Sequence, residues 1–143
     1  MSGQRFPWGD TISESQANYY AQPGNYAYDS GPYTGFNTNF TSGDLPYTSP
    51  VGYFAANGYG LNDMAGNVWE WCWDWYAPPP YPAGSPYLGG TDPRGPASSP
   101  YDHRVLRGGF WNYNASYSRC AYRLNVNPNN AGSPVGFRCV RGL

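Results

Sequence analysis

The chain has 143 residues and a formal net charge of −1, so it can form one domain with one modest core. Only 12% of its residues are charged, and its 8 Lys and Arg residues are dispersed. This argues against nucleic acid or an anionic membrane surface as a partner, because both need concentrated positive charge. No apolar run has membrane-spanning length and the start lacks a secretory signal, so the sequence assigns no compartment.

Aromatic residues make up 19% of the chain, with 15 Tyr and 6 Trp, which is not the composition of a disordered protein. The 19 Gly and 15 Pro residues are typical of a fold with many turns. Tyr and Trp bury large surfaces while keeping a polar group that needs a partner, which suits an irregular, hydrogen-bonded interior. Both residue types are also favoured at binding surfaces, so a recognition protein is compatible with this composition.

Two long segments have the character of loops. Turn-forming sequences interrupt residues 1–60 at short intervals, with one possible helical turn at residues 13–18. Residues 77–103 are rich in Pro, Gly and Ser. A domain linker there would leave too little apolar sequence on either side for a separate core, so we expect a long loop within a single domain, residues 1–143.

Residues 67–76 carry the clearest strand pattern. Tryptophan occupies every second position over most of this stretch, and a period of two is typical of a β-strand with one buried face. We expect the tryptophan face to lie in the core and the remaining side chains to share the other face. The first set is Trp69, Trp71, Trp73 and Trp75, and the second is Glu70, Cys72 and Asp74.

Three further strands are predicted in the last third of the chain. One begins at residues 104–107 and is followed by Gly108 and Gly109, which permit a bend. The other two cover residues 120–124 and 135–141, and the turn at 125–134 joins them.

The three cysteines do not form a disulfide framework. Cys120 and Cys139 are able to pair only if their strands are neighbours. Cys72, between two tryptophans, is then expected to be a buried thiol.

An ordered set of motifs identifies a family resemblance. The most informative motifs are GNVWEW at residues 66–71, RVLRGGFW at 104–111 and GFRCV at 136–140, and RFPWGD stands at 5–10. The chain resembles the formylglycine-generating enzyme, or sulfatase-modifying factor, family. This resemblance implies an α+β, C-type-lectin-like fold with little regular secondary structure. Since the family domain begins well upstream of the RFPWGD motif, it also implies that the N-terminal part of the domain is missing here.

Residues 110–118 depart from the family pattern where the chemistry of the active enzymes lies. The resemblance implies that those enzymes bind copper through two cysteines shortly after the Gly-Gly pair, since thiolates suit the soft Cu(I) ion. Here the segment contains Tyr, Asn and Ser but no cysteine. His103 is the only histidine, which disfavours a zinc or non-haem iron site and a nucleophile–base pair. We expect no copper and no catalytic residue, so a protein without enzyme activity is favoured.

The resemblance also implies calcium. One site would use the carboxylates of Asp63 and Glu70 and the backbone carbonyls of Gly66 and Val68, because calcium takes six to eight oxygen ligands. The alternative is that Asp63 caps a turn and Glu70 pairs with an arginine. A second implied site, which needs a one-residue gap in the alignment, consists of Asn18, the Tyr19 carbonyl and Asp44.

The segment 110–134 is dense in Tyr, Asn and Ser, which give adaptable hydrogen bonds and aromatic contact at low entropic cost. It is similar to the variable C-terminal region of lectin-fold proteins that are diversified by retroelements. The alternative is that residues 127–130 are a plain turn and several tyrosines belong to the core. The candidate ligand-binding residues are Trp111, Tyr113, Asn114, Ser116, Tyr117, Asn127 and Asn129.

Three functions remain open at this point. The favoured one is a non-catalytic module that recognises a protein or ligand or serves as an accessory subunit of a larger assembly. The others are a formylglycine-generating oxidoreductase that acts on a sulfatase cysteine and a retroelement-diversified ligand-binding protein. Because a shortened domain leaves apolar surface bare, we expect a stable protein partner, identical or not, and a buried interface of more than about 1,000 Å².

Overall fold

A computed structural model of the chain describes residues 3–44, 47–79, 95–130, 132 and 134–139. Its regular elements are few and short. They are two 3₁₀ helices, Thr38–Phe40 and Ala115–Ser118, and four strands: β1, Trp69–Trp75; β2, Arg104–Arg107; β3, Leu124–Val126; and β4, Val135–Gly136. The predicted loop-rich character is thus confirmed, whereas no α-helix is found within these ranges. The same residues contain no helix with the length and apolarity needed to cross a membrane.

The four strands form one sheet in the order β3-β2-β1-β4. The central pair, β1 and β2, is antiparallel, and Trp71 lies opposite Leu106. On one side β3 pairs antiparallel with β2, and on the other β4 pairs parallel with β1, where Trp69 faces Val135. The tryptophan-rich strand is therefore internal to the sheet, and the short C-terminal strand lies at its edge.

The tryptophans of β1 do not share one environment. Trp69 is only 2% exposed, Trp71 is half-buried and Trp73 is 81% exposed, so the predicted buried face is wrong at Trp73. The register of β1 against β2 shifts between Trp71 and Trp75, which ends the regular alternation on which the prediction depended. The guanidinium of Arg104 lies over both outer indoles, 5.0 Å from the ring centroid of Trp73 and 3.6 Å from that of Trp75.

The later strands are shorter than predicted or displaced. The strand at residues 104–107 is confirmed, but the one predicted at 120–124 forms at Leu124–Val126 instead. Cys120 donates its amide to the Arg5 carbonyl at 2.7 Å, and Cys120 and Ala121 lie in a turn. This part of the chain thus bonds to the N-terminal segment before it joins the sheet. The last predicted strand is seen only at Val135–Gly136, and its final two residues lie outside the described ranges, as do residues 80–94 of the predicted long loop.

Buried residues form two hydrophobic clusters. One belongs to the N-terminal half and is centred on Phe6, Ile12 and Tyr19. The other covers the sheet and is centred on Trp69 and Leu106. Every side chain named here is 2% exposed or less, so both clusters are shielded from solvent by the chain itself.

Gly66 lies where the two halves cross. It forms a parallel bridge with Asn18, and its φ is 74°. A Cβ atom at this position would stand 2.2 Å from the Asn18 carbonyl oxygen, which is far inside contact distance. The glycine of the GNVWEW motif is therefore required by the close backbone approach and by the left-handed conformation.

The contrast between two tryptophans of β1 gives a test of this packing. We expect Trp69→Ala to lower the free energy of unfolding by about 3–5 kcal/mol, because it opens a cavity in the sheet cluster. Trp73→Ala should cost about 1 kcal/mol or less, since it removes only exposed contact with Arg104. Urea unfolding of both variants measures the difference. An equal loss of unfolding free energy in both variants would show that Trp73 also belongs to the core.

Candidate functional site

The segment after β2 forms a closed loop. Gly108 and Gly109 have φ values of 91° and 79°, which turn the chain away from the sheet. A Cβ at Gly109 would stand 2.6 Å from the Ser118 hydroxyl oxygen, so the two ends of the loop touch. Asn114 caps the 3₁₀ helix Ala115–Ser118, and its side-chain oxygen accepts from the Ser116 amide at 3.0 Å. The loop backbone is thus fixed by its own residues.

This loop and the N-terminal segment together build a cleft of about 310 Å³. The Tyr20 amide donates to the Tyr113 carbonyl at 3.0 Å and holds the two walls together. We call this the tyrosine cleft. Its lining residues are uncharged and are Tyr20, Gln22, Asn112, Tyr113, Asn114 and Tyr117.

The tyrosine cleft contains three of the candidate ligand-binding residues: Tyr113, Asn114 and Tyr117. The sequence did not point to Tyr20 and Gln22, which lie about ninety positions earlier and reach the cleft only through the backbone bond between the walls. Their one local signal is that they directly follow Asn18 and Tyr19, which the resemblance implies as calcium ligands.

The other candidates have different surroundings. Trp111 is 8% exposed and packs its indole against Phe36 and Tyr47, so it supports the loop from the core and does not present a binding surface. The Ser116 hydroxyl is bonded to the Asn114 cap at 2.7 Å. Asn127 and Asn129 form a turn, in which the Asn129 amide donates to the Asn127 side chain at 2.9 Å.

A second cleft, of about 410 Å³, lies beside the start of β1. We call it the carboxylate cleft. The four residues implied as calcium ligands, Asp63, Gly66, Val68 and Glu70, all line it. Residues that are distant along the chain, including Arg138, complete its wall.

Arg138 is the main cation in the carboxylate cleft. Its Nε donates to Glu70 Oε2 at 2.6 Å, and its Nη2 pairs with the other carboxylate oxygen of Glu70. The remaining N–H groups reach the carbonyls of Asn62 at 3.1 Å and Asp63 at 3.0 Å. The hydrogen bond to Glu70 raises the pKa of Arg138 above its ordinary value, so the guanidinium is permanently charged. It ties the segment after β4 to the loop before β1.

The oxygen donors in this cleft suit a hard cation, and each implied carboxylate also has a protein partner. Asp63 accepts hydrogen bonds from the backbone amides of Gly52 and Phe54, as expected if it caps a turn. Glu70 pairs with Arg138, as expected from the other alternative. A carboxylate has about four lone-pair sites, so Glu70 is able to serve Arg138 and a metal ion together.

At the second implied site, Asn18 is buried and donates its side-chain amide to the Tyr47 carbonyl at 2.8 Å. Tyr19 belongs to the core, and Asp44 is exposed.

The cysteines are all free thiols. Cys120 and Cys139 are therefore not paired in this structure. Burial raises the pKa of the Cys72 and Cys120 thiols, which lowers their thiolate content at neutral pH. Within the described ranges no group of three or more His, Cys, Asp or Glu side chains is placed to hold a metal ion.

In the part of the chain that the structure describes, fold and site define a loop-rich domain with one four-stranded sheet, and the loop after β2 carries Tyr and Asn but no cysteine. The whole chain, residues 1–143, matches the family of sulfatase-modifying factor enzyme 1-like domains. The chain belongs to this family, which confirms the resemblance found in the sequence.

Several known proteins are similar to this chain. The serine/threonine-protein kinase pkn1 of Chlamydia caviae is 38% identical over 139 residues, which are 97% of this chain and 18% of that protein. The formylglycine-generating enzyme of Streptomyces coelicolor is 37% identical over 146 residues, covering 98% of this chain and 41% of that enzyme. The solved structure of Treponema denticola variable protein 1 superimposes with a TM-score of 0.57 at 33% identity, over 87% of this chain and 35% of that one. The chain spans less than half the length of each.

The environments of the thiols predict their order of reaction. Cys139 is exposed and should be alkylated first by iodoacetamide at pH 7.5. Cys72 and Cys120 should react more slowly, and their rates should rise only at a higher pH than those of ordinary thiols, because their pKa values are raised. Peptide mass spectrometry of timed samples measures all three rates. A fast Cys120, or a disulfide between Cys120 and Cys139, would contradict this assignment.

Proposed function

We propose that this chain is a non-catalytic recognition module of the sulfatase-modifying factor family, and that it binds its ligand in the tyrosine cleft. One observation carries the proposal. Residues 110–118 have no thiol, and they form a closed loop that presents tyrosine and asparagine side chains next to a cleft.

The chemistry of the cleft supports recognition of a neutral, hydrogen-bonding surface. Tyrosine offers a large rigid face with a polar tip, and amide side chains both donate and accept hydrogen bonds. The lining residues bring no formal charge, so complementarity depends on shape, stacking and hydrogen bonds. A pocket of this volume has the size of a small ligand or of one or two side chains of a partner.

A protein partner is supported by apolar surface elsewhere on the domain. Val51 is 96% exposed and Phe137 is 76% exposed, and both line the carboxylate cleft. Trp73 is 81% exposed on β1, whereas Trp69 is covered by its own chain. Isolated exposed hydrophobic residues are common, but a group beside one cleft favours an interface. We therefore propose that the module acts as an accessory part of a larger assembly.

Recognition is tested with the wild-type chain on a glycan array and on a library of uncharged peptides. Any ligand found should bind at least tenfold more weakly to Tyr113→Ala and to Asn112→Ala, because both substitutions remove cleft wall. Tyr101→Ala is the matched control, since it removes another exposed tyrosine that does not line this cleft. Binding that survives the cleft substitutions would place recognition elsewhere.

The competing activity is measured on the same preparation. Similarity to the formylglycine-generating enzyme of Streptomyces coelicolor favours an oxidoreductase as the second candidate. A sulfatase-type peptide with its cysteine is incubated with the chain, with and without copper, and analysed by mass spectrometry. We expect no formylglycine above the protein-free control. Its formation would overturn the non-catalytic proposal.

We also propose that calcium binds in the carboxylate cleft through Asp63, Gly66, Val68 and Glu70. The support is that all four line one cleft and offer hard oxygen donors. The site of Asn18, Tyr19 and Asp44 is proposed on the resemblance alone.

Chelation tests the calcium proposal. A ligand that binds only the folded state adds about 2.7 kcal/mol of stability at a hundredfold excess over its dissociation constant, so chelator should lower the melting temperature. The difference between calcium and chelator should vanish in Glu70→Gln. It should persist in Arg138→Met, which removes the arginine partner but keeps the carboxylate. Identical wild-type melting curves with calcium and with chelator would refute the site.

A further inference from the structure

Glu14 carries a carboxylate that lacks a partner. Both of its Oε atoms are shielded from solvent, and neither has a hydrogen-bond partner in the described part of the chain. The carboxylate of Asp29, by contrast, accepts hydrogen bonds from the Tyr19 hydroxyl at 2.5 Å and from the Gln22 amide at 2.6 Å. A shielded carboxylate without such bonds has lost hydration, so a cation placed beside it would be stabilising.

Asn37 and Gly31 surround Glu14 in the folded chain. The Glu14 backbone carbonyl accepts from the side-chain amide of Asn37 at 3.0 Å, and Asn37 is itself buried. A Cβ on the buried residue Gly31 would stand only 1.9 Å from Glu14 Oε2, so the backbone there packs directly on the carboxylate. A side chain at residue 31 would therefore displace the Glu14 carboxylate from this place.

The Glu14 side chain forms part of the wall of a third cleft, of about 330 Å³. Two aromatic residues stand in the same wall: Tyr33, which is 67% exposed, and Phe36, which is half-buried. Both carboxylate oxygens lie behind the cleft surface, so a cation in the cleft meets them only when the Glu14 side chain turns outward. The other lining residues are Ser15, Asn37, Thr38 and Asn39.

The residues that line this third cleft suit an organic ammonium better than calcium. Calcium needs six to eight oxygen ligands, and Glu14 is the only carboxylate among the residues that line this cleft. The side-chain oxygen of Asn37 already accepts from the Asn39 amide at 3.2 Å. An organic ammonium needs fewer ligands, gains from one carboxylate, and is attracted to the faces of aromatic rings such as Tyr33.

We propose that this cleft binds a primary ammonium on an apolar stem, namely the side chain of a lysine on a partner protein, with Glu14 as its counter-ion. The aromatic side chains contact the stem while the ammonium meets the carboxylate. This site does not share residues with the tyrosine cleft or the carboxylate cleft. It therefore stands independently of the function proposed above.

Two capped amino acids provide the test. Nα-acetyl-lysine methylamide and its neutral analogue Nα-acetyl-norleucine methylamide, which keeps the four-carbon stem but lacks the ammonium, are titrated into the ¹⁵N-labelled chain. Amide shifts of Ser15 and Asn39 are followed by NMR. We expect saturable shifts with the lysine compound and at least tenfold weaker binding of the norleucine compound. Glu14→Gln should weaken lysine binding at least tenfold, and Tyr33→Ala should weaken it by a smaller factor.

Asp102→Asn is the charge-matched control, because it removes an exposed carboxylate that does not line this cleft. It should bind the lysine compound as the wild type does. Equal binding of both compounds, no binding of either, or calcium alone producing the shifts would overturn the proposal.

Thermal unfolding gives a second, ligand-free readout. Glu14→Gln removes an uncompensated buried charge, so its melting temperature should equal or exceed that of the wild type. A lower melting temperature would mean that the carboxylate already has a stabilising partner inside the domain, and the proposal would fail on that result as well.

Discussion

The crossing of two backbone segments at Gly66 and Asn67 holds this domain together. Gly66 donates its amide to the Gly108 carbonyl at 2.7 Å, and Asn67 donates to the Asn18 carbonyl at 2.7 Å. The Asn67 carbonyl in turn accepts from the Trp111 amide at 3.0 Å. Two adjacent residues thus join the N-terminal half, the bend after β2 and the start of the tyrosine-rich loop. Because buried backbone groups must be paired, losing this crossing would leave several of them unsatisfied.

This crossing explains how a domain with so little regular structure supports defined clefts. The tyrosine cleft has one wall from the N-terminal segment and one from the loop after β2, and both walls are anchored at the crossing. Gly66 and Asn67 also line the carboxylate cleft, where Arg138 ties the segment after β4 to the loop before β1. Hydrogen bonds between irregular segments therefore hold the walls of both clefts in place, as packed helices do in other folds.

Predictions from the sequence were correct where they depended on a local pattern or on a motif. The period of two in residues 69–75 placed β1, and the RVLRGG sequence placed β2 and the glycine bend after it. It failed at Trp73, since periodicity assumes an unbroken register and cannot show that a ladder shifts. The role of Tyr20 and the isolation of the Glu14 carboxylate depend on contacts with residues far along the chain, which no local pattern contains.

The closed loop after β2 is fixed at Gly109 and at Asn114, and Asn114 also lines the tyrosine cleft. Gly109 and the Asn114 cap fix the path of the chain, and Ala115 and Ser118 are buried beneath it. Asn112 is exposed on the rim, whereas Tyr113 is partly exposed and packs its ring against Phe110, with 4.5 Å between the ring centroids. The Asn112 side chain can be exchanged without removing any of the hydrogen bonds that define the loop, so the rim of the cleft tolerates variation at this position with little effect on the fold.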